Sequence, residues 1–293
     1  MSEIFESGNG LVSKEEWEGK ISSIKEKTSK ALLDEKTAIE QLSKIISDAT
    51  FSRANSKFGV MFSGGVDSAL IAYLLKNRGH RFTCYTVGFG NSKDVEAAII
   101  ASKLIGINLK YKVYTLDEIE PILKEVKRII PEKDSVNISV ASVVFAVVML
   151  AKEDGVNLLF SGLGSEELFA GYQRHELAED INEECWAGLA NMYKRDLIRD
   201  SALASELKVG FLTPLLDEKL IPVAMQVPGS LKISGEHKKL ILRLTAEQLG
   251  LPHEISFRKK IAAQYGSGFD TAIEKLSTKK GFSKKSEYLA SLN

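Results

Sequence analysis

The chain has 293 residues, 44% of them hydrophobic, which is enough for one large or two small domains with an ample core. Its 39 basic side chains match its 39 acidic ones, so no net field steers it toward nucleic acid or an anionic membrane surface. The two cysteines, Cys84 and Cys185, make neither a Cys-x-x-Cys pair nor a metal-ligand spacing, which speaks against a disulfide scaffold or a zinc module.

In chain order, Met-Ser-Glu-Ile-Phe-Glu-Ser is neither a signal peptide nor a membrane span, and a soluble, cytoplasmic protein is expected. Residues 1–50 read as a helical arm. Ser13 and Glu16 form a capping box before Trp17, Ile21 and Ile24. A second helix near residues 35–49 carries Ile39, Leu42, Ile45 and Ile46 on one face. From Phe58 strands and helices alternate: strand 58–62, helix from Val66, strand 82–87, helix 93–104 closed by Gly106, strand 109–114, and a helix boxed by Thr115 and Glu118 and ended before Pro131. Residues 140–152 read as an apolar helix, too short to cross a bilayer, and 157–160 as a strand. Strands that are apolar throughout and separated by helices predict a doubly wound parallel sheet. Beyond Gly171 the strand signal fades. Helical periodicity over 177–205 and 236–249 predicts a mostly helical second half, and the Lys-rich tail after Lys275 reads as a solvated end. The expected division is 1–50, then one domain over 51–293 with a nucleotide-binding α/β part (51–175) and a helical part (176–293).

The chemistry concentrates at two breaks between strand and helix. At Phe62-Ser63-Gly64-Gly65-Val66-Asp67-Ser68 side chains nearly vanish just where a helix begins, so orphan N–H groups and the positive end of a helix dipole share one place. A Walker A loop would need a Lys, and a dinucleotide fingerprint a different glycine spacing. Ser63 to Ser68 instead resembles the signature of the ATP pyrophosphatases, which split ATP into AMP and pyrophosphate. The second break, Ser161-Gly162-Leu163-Gly164-Ser165-Glu166-Glu167, puts two carboxylates at a helix start, where the dipole favours them. The rule for parallel sheets places Ser63–Ser68, Val87–Gly90 and Ser161–Glu167 on one rim, at the carboxyl ends of the strands. Asp67 and Glu166, two carboxylates facing a triphosphate from that rim, suit magnesium, which takes few carboxylates plus phosphate oxygens.

With Ala170-Gly171-Tyr172, Leu212-Thr-Pro-Leu-Leu-Asp217, Val223-Ala-Met225, Lys239-Leu-Ile-Leu-Arg243, Leu251-Pro252 and Arg258-Lys259-Lys260 following in order, the chain resembles the synthetase domain of the asparagine synthetases and β-lactam synthetases from about residue 40 to 270. The resemblance implies a fold of the adenine nucleotide α-hydrolase-like (ATP pyrophosphatase) type and an ATP- and Mg2+-dependent ligase that adenylates a carboxylate and amidates it with ammonia. Phe62 and Val87 then flank the adenine, and Ser63, Gly64, Gly65 and Ser68 cradle the pyrophosphate. Ser161 and Gly162 lie beside the nucleotide, Asp67 and Glu166 hold the metal, and Lys260 steadies charge at the reacting phosphate. The implied partners are a small carboxylate acceptor and ammonia, with a separate glutaminase subunit and a second copy of the chain left open; nucleic acid and membrane are not expected.

Three departures stand out. Full-length members begin with a glutaminase domain whose N-terminal Cys is the nucleophile, and nothing in these residues corresponds to it. The motif's acceptor-side Glu is Leu163, and a Glu-x-Arg before the Pro is Gly210-Phe211-Leu212. Aspartate is therefore expected to be a poor acceptor unless Arg174 or His175 has taken over its recognition. The competing readings are a tRNA-adenylating enzyme, which the isolated cysteines and zero net charge disfavour, and a non-catalytic nucleotide-binding relative.

Overall fold

The computed structural model describes residues 3–7, 10–259 and 262–292. Five strands, β1 (Gly59–Met61), β2 (Thr83–Phe89), β3 (Asn108–Tyr114), β4 (Leu158–Phe160) and β5 (Gly210–Leu212), form one sheet in the order β3-β2-β1-β4-β5, every neighbouring pair parallel. In chain order the longer helices are α1 (Lys14–Lys27), α2 (Glu35–Arg53), α3 (Val66–Asn77), α4 (Lys93–Ile105), α5 (Leu116–Ile129), α6 (Ser135–Lys152), α7 (Ile181–Met192), α8 (Ile198–Leu207), α9 (Leu240–Gln248), α10 (Phe269–Lys279) and α11 (Lys285–Ser291); parallel strands need crossovers, and α3 to α8 supply them.

Because side chains alternate along a strand, the sheet feeds two cores, one on each face. Val60, Phe62 and Phe160 join Trp17, Leu42, Ile46, Leu70 and Ile71 on one face. Tyr85, Val87 and Leu159 join Ile119, Ile138, Phe145 and Phe269 on the other. The first fifty residues are thus no free arm. Trp17 is wholly buried and its indole N–H donates to the Leu189 carbonyl at 3.0 Å; fully burying a large apolar side chain is worth about 1.5–3 kcal/mol. The tail is not a solvated end either, since Ile273, Leu276, Tyr288 and Leu289 close the second core.

Other departures from the sequence reading have local causes. α6 begins at Ser135, five residues before its apolar run, because Asp134 caps it by accepting the N–H groups of Val136 and Asn137. α6 is long and apolar enough to cross a membrane, but its Ile138, Ala141, Phe145 and Val148 are spent on the second core. β5 lies between the expected helices, in a half where no strand was expected; three residues carry no readable period. Part of the expected helix before Leu240 is an antiparallel pair, Ile233–Ser234 with His237–Lys238.

The chain leaves β1 toward β2 and β3 on one side and later crosses back to β4 and β5 on the other. The β1–β4 boundary is therefore the switch point, and a crevice opens at the carboxyl ends of these two strands. Both glycine-rich loops are there.

Candidate active site

The first loop is built by its own backbone. Gly64 sits at φ +68°, and a Cβ there would lie 2.7 Å from the backbone carbonyl of Ala97, so conformation and space both demand glycine. The Ser63 N–H donates to Ser68 Oγ at 3.3 Å, the Ser68 hydroxyl donates to the Gly65 carbonyl at 3.3 Å, and the Gly65 N–H donates to Ser63 Oγ at 3.4 Å. Ser63 and Ser68 thereby close the loop on itself. Gly65 caps the twelve-residue α3 without a side chain, which leaves the first-turn N–H groups facing the crevice.

Asp67 on α3 and Glu166 after β4, which the sequence pairs as metal ligands, do converge. They converge on Lys239. Its Nζ donates to both Asp67 carboxylate oxygens and to Ser165 Oγ, each at 2.9 Å, and lies 2.9 Å from Glu166 Oε1. Lys239 is 2% exposed; burial pulls its pKa down and the Asp67 charge opposes that pull. Gly171 packs directly over this cluster: a Cβ there would overlap the Glu166 carboxylate and stand 2.5 Å from Lys239 Cε. Oxygen donors meeting at one cation-sized point are the set magnesium takes, so the pair fits that ion chemically.

Lys239 is the residue that sequence reasoning passed over. It stood in the family-like stretch Lys239–Arg243, but beside Lys238 at a helix start it looked like any surface lysine. Lys260, the lysine singled out instead, lies outside the described residues. Its neighbour Arg258 reaches the loop, donating to the Ser63 carbonyl at 3.1 Å and to the Lys93 carbonyl at 3.4 Å, with Asp94 3.5 Å away. Arg243 braces the same segment by donating to the carbonyls of Lys238 at 2.7 Å, Ser256 at 2.5 Å and Arg258 at 3.0 Å.

A cavity of about 470 Å³ opens on the cluster, with Glu166, Gly171, Lys239, Tyr172, Gln173, Lys238, Arg243, Phe257 and Lys259 in its wall. Several expected site residues lie elsewhere. Phe62 and Val87 are 3% and 2% exposed, and their side chains pack in the cores on opposite faces of the sheet. Ser161 is held in the sheet, its N–H donating to the Leu212 carbonyl at 2.8 Å, and its hydroxyl accepts the Leu163 N–H at 3.2 Å. Gly162 packs against the Asp67 Cβ. Leu163 lines a separate cavity of about 260 Å³ with Phe5, Leu11, Leu197 and Phe211.

Neither residue named as a substitute acceptor contact reaches the larger cavity. His175 is wholly buried, its Nδ1 accepting the Tyr172 N–H at 3.1 Å. Arg174 stacks on Tyr172 at 4.2 Å and pairs with Glu184 at 2.8 Å. Glu167 points away from its neighbour into a buried pair with Arg195, beside Asp196; burial and the Asp196 charge push its pKa up. It supports the motif from beneath.

The model of the asparagine synthase family matches residues 40–180 and 175–285. Among curated relatives, "Putative asparagine synthetase (glutamine-hydrolyzing) 1" of Methanocaldococcus jannaschii is 32% identical over 288 residues, covering 85% of this chain and 53% of that protein. Asparagine synthetase B (glutamine-hydrolyzing) of Escherichia coli K12 is 26% identical over 260 residues, covering 82% and 47%. The chain spans about half the length of the curated relatives it matches. Among solved structures, an NH3-dependent NAD synthetase from Campylobacter jejuni covers 89% of this chain and is covered to 93%, at 17% identity and a TM-score of 0.39, too loose a likeness to bear on the site. By the match along nearly its whole length, the chain belongs to the asparagine synthase family.

Proposed function

We propose that the chain is an ATP-dependent amidoligase. An oxygen of the acceptor carboxylate attacks the α-phosphorus of ATP, the bond to the β-phosphate oxygen breaks and pyrophosphate leaves. Ammonia then attacks the acyl carbon of the adenylate, AMP departs and the nitrogen loses a proton. The observation that carries this reading is the meeting of Asp67 and Glu166 on one cation position beside a glycine loop and a helix N-terminus.

In this reading the loop amides and Ser68 hold the departing pyrophosphate. Asp67 and Glu166 hold Mg2+, which when bound neutralises charge on the phosphate oxygens. Lys260 is proposed to act on the same charge from the segment that Arg258 ties to Ser63. Phe62 and Val87, with side chains committed to the cores, offer the adenine only main-chain groups. The cavity wall supplies Lys238, Lys259 and Gln173 for an anionic acceptor, in place of Leu163, Arg174 and His175. Ammonia is the fitting nitrogen donor for this chain: Cys84 and Cys185 are both wholly buried and burial pushes both thiols up, so neither is poised to attack glutamine. A separate glutaminase subunit is one proposed source of that ammonia.

The test is pyrophosphate release from ATP, magnesium and ammonium across a panel of amino acids and other carboxylates, with and without Asp67→Asn. Release should require a carboxylate and fall at least about a hundredfold in the variant, as expected for removal of a charge that acts at the transition state. ATP binding should fall less, because the loop amides remain. Wild-type turnover in Asp67→Asn would overturn the reading.

A further inference from the structure

We propose that Lys239 occupies the metal position in the nucleotide-free chain, so that the site refuses free Mg2+ and admits the ion only together with the polyphosphate. The inference rests on reading Asp67 and Glu166 as metal ligands, and it adds a residue that controls when they become so.

The geometry points this way. The ammonium has four oxygen contacts at 2.9 Å, from both Asp67 oxygens, Glu166 Oε1 and Ser165 Oγ. Its centre is the point on which the carboxylates converge. Oxygens around magnesium lie at about 2.0–2.1 Å, so the ion cannot share that point while Nζ fills it. The charges agree. Asp67 and Glu166 already face the Lys239 ammonium, and the Arg243 charge bears on Asp67 and Lys239 as well. A free divalent ion would add two more positive charges beside these cations, and burying unmatched charge is costly. Phosphate oxygens supply the missing negative charge, so a metal arriving with the nucleotide leaves both cations partnered. The ammonium is also held in place. Lys239 takes the left-handed backbone region at φ +56°, its carbonyl accepts the Arg243 N–H at 3.0 Å in the first turn of α9, and the bare Cα of Gly171 admits its stem.

The experiment uses Mn2+ alone as the probe, on the nucleotide-free full chain, read by electron paramagnetic resonance of the free ion and by thermal melts. The wild type should bind no Mn2+ at millimolar ion, and its melting temperature should not move with the metal. Lys239→Met removes the ammonium on which the Asp67 and Glu166 carboxylates converge. It should bind one Mn2+ with a dissociation constant below millimolar and gain several degrees in melting temperature at an ion concentration roughly a hundred times that constant, since a ligand that binds only the folded state stabilises it. Lys239→Met combined with Asp67→Asn should lose both responses. A variant that folds only when Mn2+ is present supports the proposal as well. One tight Mn2+ on the wild type that Asp67→Asn removes would overturn it, and this arm needs no Lys239 variant to fold. So would a folded Lys239→Met that gains no ion. No arm contains ATP, so a chain that fails to adenylate carboxylates still passes or fails this test on its own.

Discussion

Gly171 stands where the Glu166 carboxylate and the Lys239 stem already fill the space of a side chain. Gly171→Ala must therefore push one of them aside. Pyrophosphate release in that variant should fall at least about tenfold, the equivalent of 1.4 kcal/mol of barrier, while the rest of the fold is untouched; kinetics beside a thermal melt separate the two, and an unchanged turnover number would count against the cluster. His175 is the second residue whose surroundings set a measurable outcome. It is wholly buried, and burial with the nearby Arg174 and Lys232 charges pushes its pKa from 6.5 down to about 4. The unfolded chain binds this proton more readily than the folded one, so the stabilising effect is present above about pH 6.5 and is lost as pH falls toward 4. At about 1.4 kcal/mol per pKa unit the loss approaches roughly 3 kcal/mol. Denaturant melts at pH 7, 5.5 and 4.5 should show wild type and His175→Asn converging toward acid; parallel lines would mean that His175 does not carry this dependence. At this scale the convergence of Asp67 and Glu166 was legible, because each follows a glycine break at the carboxyl end of one of two neighbouring strands. Lys239 was not legible, because nothing in one chain distinguishes a lysine that turns inward from one that stays in water.

Among the elements, the decisive join is between the loop after β1 and the segment after Pro252. Arg258 makes it with two main-chain carbonyls, Ser63 and Lys93. A hydrogen bond from a charged group is worth about 1.5–3 kcal/mol, so Arg258→Ala should raise the KM for ATP about tenfold or more with the fold kept. A KM within twofold of wild type would show that the loop holds its shape unaided. The capping boxes at Ser13–Glu16 and Thr115–Glu118 were readable and are present, since both partners of a box lie within one turn. β5 and the Ile233–Lys238 pair were not, because strands of two or three residues are fixed by the neighbours they meet. Leu163 borders the motif in the sequence, but in the fold it lines another cavity together with Phe5 and Leu11.

For the whole molecule, the strand order puts both glycine loops at one switch point, and that much followed from apolar strands alternating with helices. Which faces the strand residues present did not follow: the Phe62 and Val87 side chains join cores on opposite faces of the sheet. The central claim is that this crevice joins a carboxylate to AMP before nitrogen arrives. It is tested most directly by giving the enzyme, ATP and ammonium an acceptor whose carboxylate carries 18O, and analysing the nucleotide by mass spectrometry. Attack on the α-phosphorus predicts one 18O in the AMP released and none in pyrophosphate. Label appearing in inorganic phosphate, with ADP as the nucleotide product, would contradict the account.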